Sequence, residues 1–276
     1  MSCFICPVCK SVLTEQESKF ICENNHCFDK SKQGYVNLLM SQQSSQKRHG
    51  DDKLMVKSRR DFLNNGYYSL LCEEICKIIN KLKTVDCTLY DVGCGEGYYT
   101  SKIKSECGIS DVFGIDISKN ALQYASKMDK SIKYAVASAF LLPFKEESAD
   151  ILLNIFAPCA YSEFSRVLKN NGYLVKVVPL SEHLWELKKA IYNEPYKNKP
   201  EIKNDELFSL VDCKELKYEI TIKSKDDIYN LFTMTPYYYK TSKEDTEKLL
   251  KLEKLTTTVH FAIEIYKKVT FWGTFN

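Results

Sequence analysis

Leu89-Tyr90-Asp91-Val92-Gly93-Cys94-Gly95-Glu96-Gly97-Tyr98-Tyr99-Thr100 is the stretch that decides the fold. An apolar strand runs into three glycines at alternate positions and then into a helix-compatible run. Glycine lets the backbone turn sharply and admits a ligand where a Cβ would collide, so the stretch reads as a nucleotide-cofactor loop between a strand and a helix. Its spacing differs from G-x-G-x-x-G, which aims a helix N-terminus at a pyrophosphate. One such loop is also compatible with a plain strand-to-helix turn in another α/β domain. The downstream sequence decides. Val112-Phe113-Gly114-Ile115-Asp116 is a second apolar strand ending in an acid, about 20 residues past the glycines, where a carboxylate accepts from ribose hydroxyls.

The pattern Asp91-x-Gly93-x-Gly95-x-Gly97 resembles the first motif of class I S-adenosylmethionine-dependent methyltransferases. A cofactor without phosphate needs no anion site. It offers a sulfonium, an amino-acid end and a ribose, and an acid ahead of the loop suits the positive end. The resemblance implies a Rossmann-like α/β domain in which Asp91, Gly93, Gly95, Gly97 and Asp116 face the cofactor.

The surrounding chain supplies the other elements of such a domain. Leu70, Leu71, Ile75, Ile78, Ile79 and Leu82 recur at helical spacing, predicting a helix over 69–82 ahead of the first strand. Tyr98 to Ser105 and Ser118 to Met128 read as crossover helices, the second capped by Ser118. Lys133 to Ala137 is a third strand. It leads to Ser138, where methyltransferases of this class commonly carry an Asp toward the adenine amine; a hydroxyl or a backbone group would do that work here. Asp150 to Phe156 is nearly all apolar, as a parallel strand covered on both faces should be, and it ends at Ala157-Pro158-Cys159, beyond the carboxyl ends of the strands where ligands lie. Cys159 reads as a small buried hydrophobe and not as a nucleophile. Tyr173 to Val178 forms the fifth strand, with His183 just past it at the same sheet edge. The last third alternates with period two over 217–223 and 259–266, predicting an antiparallel edge with His260 on the polar phase. The expected fold is thus a mixed seven-stranded sheet with an antiparallel edge. The aromatic run Met234-Thr235-Pro236-Tyr237-Tyr238-Tyr239 is compatible with stacking a base and equally with packing.

At the N-terminus, Cys6-Pro7-Val8-Cys9 is followed by Cys22-x-x-x-His26. Two sulfurs from a tight knuckle and two ligands from a second turn can surround one Zn²⁺ tetrahedrally, so Cys6, Cys9, Cys22 and His26 are the expected ligands, with Cys3 and Cys27 as bystanders. A segment of ~35 residues buries too little to fold without such a clamp. With all four positions filled by protein, the ion would serve structure or recognition. The expected divisions are a zinc-binding module over 1–40, a basic linker over 41–68 and the methyltransferase domain over 69–276.

With 276 residues, 44% of them hydrophobic, the chain can bury a full core. No run approaches the ~18 apolar residues of a membrane span, and no signal pattern opens the chain. This suits a cytoplasmic protein whose 12 cysteines are reduced thiols and metal ligands. The net charge is only +3, but residues 1–60 hold ten Lys/Arg against six Asp/Glu, and the rest 29 against 30. Lys47, Arg48, Lys53, Lys57, Arg59 and Arg60 read either as an RNA-contacting strip or as a solvated helix face.

Taken together, the zinc motif, Gly34-Tyr35-Val36-Asn37-Leu38-Leu39, the run from Arg59 to Tyr68, the glycine loop, Ala157-Pro158-Cys159, the His183 to Lys188 segment, Ile191-Tyr192-Asn193-Glu194 and Met234-Thr235-Pro236 are similar to the RlmA family of 23S rRNA (guanine-N1)-methyltransferases over nearly the full chain. The resemblance implies that the zinc module and basic strip hold a 23S rRNA hairpin while the Rossmann-like domain methylates N1 of one guanine. It further implies that Tyr68, Gly95, Glu96 and His183 contact S-adenosylmethionine, and that the protein is a homodimer whose zinc modules flank a shared RNA cleft. No residue announces itself as the base that takes the N1 proton.

Overall fold

The computed structural model describes residues 4–40, 50–199 and 205–269. Cys3, Lys47 and Arg48 lie outside these. The chain opens with three short antiparallel strands, β1 (Thr14–Glu15), β2 (Lys19–Ile21) and β3 (Cys27–Asp29), followed by β4 (Val36–Asn37). Helices α1 (Lys53–Asn64) and α2 (Ser69–Leu82) lead into the alternating part: β5 (Thr88–Val92), α3 (Tyr98–Cys107), β6 (Asp111–Asp116), α4 (Lys119–Met128), β7 (Lys133–Val136), β8 (Ala149–Ile155), α5 (Tyr161–Val167) and β9 (Leu168–Pro179). Then come α6 (Trp185–Ile191), β10 (Phe208–Ile222), α7 (Lys225–Thr233), α8 (Lys243–Leu250) and β11 (Leu255–Lys268).

The large sheet has the order β10-β11-β9-β8-β5-β6-β7-β4, antiparallel at β10/β11 and β11/β9 and parallel elsewhere. Seven of these strands are the expected mixed sheet. The eighth is a correction: β4, from the stretch assigned to the zinc module, adds to the free edge by pairing Val36 with Ala135 and Asn37 with Val136. An uncovered parallel edge exposes a row of unpaired backbone groups, and a strand from the N-terminal segment removes it.

Both faces of the sheet are covered. Alternation along β5 sends Leu89 to one side, with Ile75, Ile79, Ile103 and Val112, and Tyr90 to the other, with Phe113, Phe144 and Leu152. The second side is closed by Phe164 of α5 and by Phe4, Leu13 and Phe20 of the N-terminal segment. Phe4 stacks on Phe144 with ring centroids 5.5 Å apart and meets Phe113 edge-on at 5.6 Å. Glu15 adds a polar link, reaching Lys30 at 2.9 Å and Lys133 at 3.1 Å. The N-terminal segment therefore shares a core with the sheet.

Residues 53–64 of the expected basic linker form a packed helix. Asp52 caps α1, accepting from the Met55 N–H at 2.9 Å, and Val56, Phe62 and Leu63 are buried. His260 is also buried, against the expectation from its phase in the strand. β11 lies inside the sheet between β9 and β10, and the His260 ring closes on Glu215 of β10 at 2.7 Å.

Candidate functional site

The turn after β5 is built by its glycines. Gly93 has φ +85°, and a Cβ there would lie 2.3 Å from Ala157 Cβ; Gly97 has φ +88°, and its Cβ would press on the Ala125 backbone at 2.9 Å. Both positions combine a left-handed conformation with a close neighbour, which excludes any side chain. The Gly93 and Cys94 N–H groups donate to Ile115 O at 2.7 and 3.0 Å, fixing the loop beside the end of β6.

This loop forms one wall of a cavity of about 960 Å³ at the carboxyl ends of β5, β6, β7, β8 and β9. Tyr68, Asp91, Gly93, Gly95, Glu96, Asp116, Ser138 and His183, the residues singled out from sequence, all line it, whereas Gly97 sits behind the loop. Asp91 is buried. Thr100 Oγ1 donates to its Oδ2 at 2.5 Å, while Oδ1 has no partner among the described residues. Burial raises its carboxyl to about 7, with the Thr100 hydroxyl opposing and Asp116 and Glu96 adding to the rise. Asp116 accepts from the Gly95 N–H (2.9 Å) and the Ser118 N–H (2.7 Å), one on each oxygen, which orients its remaining lone pairs. The Ser138 hydroxyl accepts from the Phe140 N–H at 3.2 Å.

Tyr68 is buried between Phe62 and Phe261, and its hydroxyl lacks a partner among the described residues. His183 is also buried, and burial lowers its imidazole to about 3, so it is neutral. Its Nδ1 accepts from the His260 N–H at 3.3 Å, which assigns the ring proton to Nε2.

The sequence reading missed Arg59 as a cavity residue. Its guanidinium pairs with Asp51 and feels Glu96 and Asp116; burial works against its charge, but Asp51 and Glu96 outweigh that. The available signal was spacing: Val56, Arg59 and Leu63 fall on one helical face, so Arg59 points where the apolar residues point. Arg60 pairs with Asp61 at 2.7 Å and lies 4.6 Å from the Tyr124 ring, and Lys57 meets Asp61 at 2.9 Å. Of the strip's members among the described residues, Lys53 and Lys57 are exposed. Tyr196 and Asn198, which also line the cavity, carried no sequence signal.

On the N-terminal segment, two matched turns bring four donors together. The Lys10 N–H donates to Cys6 O and the Asn25 N–H to Cys22 O, both at 2.9 Å, with Lys10 and Asn25 left-handed. The donor atoms of Cys6, Cys9, Cys22 and His26 all lie within 4.8 Å of one another. Cys9 Sγ to Cys22 Sγ is 3.7 Å, and Cys22 Sγ to His26 Nδ1 is 3.4 Å. A tetrahedron with Zn–S of about 2.3 Å and Zn–N of about 2.0 Å has edges of this length, so the donor set fits that ion. Cys27 is exposed and outside the cluster.

A Rossmann-like sheet, a glycine loop opening on an acid-lined cavity and a three-cysteine, one-histidine cluster define a methyltransferase with a zinc-ribbon segment. Comparison with known proteins agrees: the family model described as RlmA, N-terminal matches residues 4–47, and the Methyltransferase domain model matches residues 90–176. A Bacillus subtilis protein described as "Putative 23S rRNA (guanine-N(1)-)-methyltransferase YxjB" is 33% identical across 97% of this chain and 98% of its own. The Streptomyces fradiae 23S rRNA (guanine(748)-N(1))-methyltransferase is 33% identical over 67% of this chain and 66% of its own. The chain belongs to the RlmA family of 23S rRNA (guanine-N1)-methyltransferases. No helix among the described residues is long and apolar enough to cross a membrane.

Proposed function

We propose that the protein transfers a methyl from S-adenosylmethionine to N1 of a guanine in a hairpin of 23S rRNA. The observation that carries the cofactor part of this reading is the orphaned Asp91 Oδ1, a buried acceptor on a residue that lines the cavity beside the glycine loop. A buried oxygen without a partner is costly unless a ligand supplies one, and a cationic ligand also satisfies the charge. The unpartnered Tyr68 hydroxyl fits the same ligand.

S-adenosylmethionine supplies a methyl already activated on a sulfonium. The chain's contribution is alignment and exclusion of water. Asp91 would face the cationic end and Asp116 would hold the ribose hydroxyls, with Gly93, Gly95, Gly97 and Glu96 shaping the loop beneath, and the Ser138 hydroxyl or the neighbouring backbone would meet the adenine. His183 and Tyr68 close the far wall, the neutral His183 offering its Nε2–H. When bound, the cofactor would supply the methyl and its sulfur would keep the bonding electron pair; the chain's residues would fix the guanine N1 in line with it. The Watson–Crick edge must be free of pairing, so the guanine lies in a loop or is flipped out.

Residues 4–40, with zinc on Cys6, Cys9, Cys22 and His26, together with the exposed Lys53 and Lys57, would hold the hairpin in a homodimeric, cytoplasmic enzyme. Isothermal titration with S-adenosylmethionine, followed by primer extension on 23S rRNA lacking the modification, tests the reading. Binding and a new stop at one guanine are expected; absence of cofactor binding by folded, zinc-loaded protein overturns it.

A further inference from the structure

Beyond the glycine loop, three aromatic residues that line the cavity stay partly exposed: Phe140 is 65% exposed, Tyr196, with Lys188 over its ring, 51% and Phe156 44%. Phe156 differs from the other two in its backbone. It has φ +55°, a left-handed conformation that a bulky aromatic residue rarely adopts and that persists only where its surroundings over-determine it.

Those surroundings are visible. The Phe156 N–H donates to Val177 O at 3.2 Å. Asn154, buried at the end of β8, donates through Nδ2 to Val92 O at 3.2 Å and to Pro158 O at 3.3 Å, tying the 155–158 turn to the last residue before the glycine loop. Ala157 lies directly against Gly93, whose own side chain is excluded for that reason. The turn is therefore locked to the methyl-donor wall, and the strain holds a flat apolar side chain at the cavity mouth. Part of the ring is backed by Phe261, with centroids 5.0 Å apart, and Phe261 is in turn backed by His183 at 4.5 Å.

The contact with Phe261 accounts for only one side of the ring, and the strained turn leaves the rest of it in water. A ring held rigidly beside the donor site can stack a planar base and fix the height of its edge. We propose that Phe156 is the platform on which the target guanine stacks, with Asn154 as the positioning residue that locks the turn. This inference rests on the rRNA guanine-N1 reading above and names the subsite of its substrate.

The test uses the full-length, zinc-loaded protein with Phe156→Leu, which keeps apolar bulk and loses the flat face, and Phe156→Trp, which keeps the face. Cofactor affinity is measured by titration, and methylation of unmodified 23S rRNA is measured as kcat and KM. Phe156→Leu should raise KM for RNA about tenfold to a hundredfold with S-adenosylmethionine affinity unchanged, and Phe156→Trp should stay within a few-fold of wild type. Phe156→Gly, which relieves the left-handed conformation, should raise KM for RNA at least as much as Phe156→Leu does while melting no lower than Phe156→Ala. Wild-type KM in Phe156→Leu, or an equal loss of cofactor affinity, overturns the platform. Failure of the wild-type protein to methylate 23S rRNA overturns the reading beneath it instead.

Discussion

Asp91 accepts from Thr100 on one oxygen, and its other oxygen is buried without a partner among the described residues. Because burial lifts its carboxyl to about 7, the ligand-free protein keeps a proton there below that pH, and a cationic ligand must displace it. Affinity for S-adenosylmethionine should therefore tighten with rising pH, by ~tenfold between pH 6 and 8, the loss at pH 6 being that of one group one unit below its pKa. Titrations across that range check the sign. Asp91→Asn keeps an acceptor for Thr100 but cannot ionise, so it should bind about tenfold more weakly at pH 8 and lose the pH dependence; an unchanged pH profile in this variant would assign the effect elsewhere. Gly93→Ala places a methyl against Ala157 in a left-handed backbone and should cost about 1–3 kcal/mol of stability, read by denaturant unfolding.

Among the elements, the zinc-ribbon segment makes the most distinctive prediction. Phe4, Leu13 and Phe20 lie in one cluster with Tyr90, Phe113 and Phe144, so the cluster around the metal donors and the sheet should unfold together. Chelating the metal should lower the melting temperature of the whole molecule in one transition, and Phe4→Ala should cost about 3–5 kcal/mol. A chelated sample whose cofactor-binding domain melts as before would show two independent units. The same elements show what the sequence could reveal. α2 emerged over 69–82 with the bounds the structure has, because its apolar residues repeat with the helical period. β10 was read only from residue 217, although it starts at Phe208, because residues 209–215 are exposed on both faces and leave no period-two signal. β4 is two residues long and has no periodicity at all. The cavity residues on the glycine loop and β6 were legible since their chemistry is encoded locally. Phe156 and Tyr196 are not, because their roles come from what the fold sets beside them, and Arg59 shows only its helical face, not the Asp51 and Glu96 carboxylates that the fold brings to it.

For the whole molecule, the question is how rRNA reaches the cavity mouth. Two lysines of α1 are exposed, Lys53 and Lys57, the latter sharing Asp61 with the half-buried Arg60 while Arg59 turns inward. If both meet phosphates, RNA affinity should fall linearly with salt on logarithmic axes, and the double variant Lys53→Gln, Lys57→Gln should flatten the slope by about 1.4 for single-stranded contacts. Filter binding over a salt series reads this, and an unchanged slope would remove α1 from the RNA surface. The most direct measurement of the central claim is nucleoside mass spectrometry of unmodified 23S rRNA incubated with the zinc-loaded protein and S-adenosylmethionine. One 1-methylguanosine per rRNA is predicted, formed about tenfold more slowly by Asp91→Asn at limiting cofactor; no methylated nucleoside, or a methyl on any other base, would contradict it.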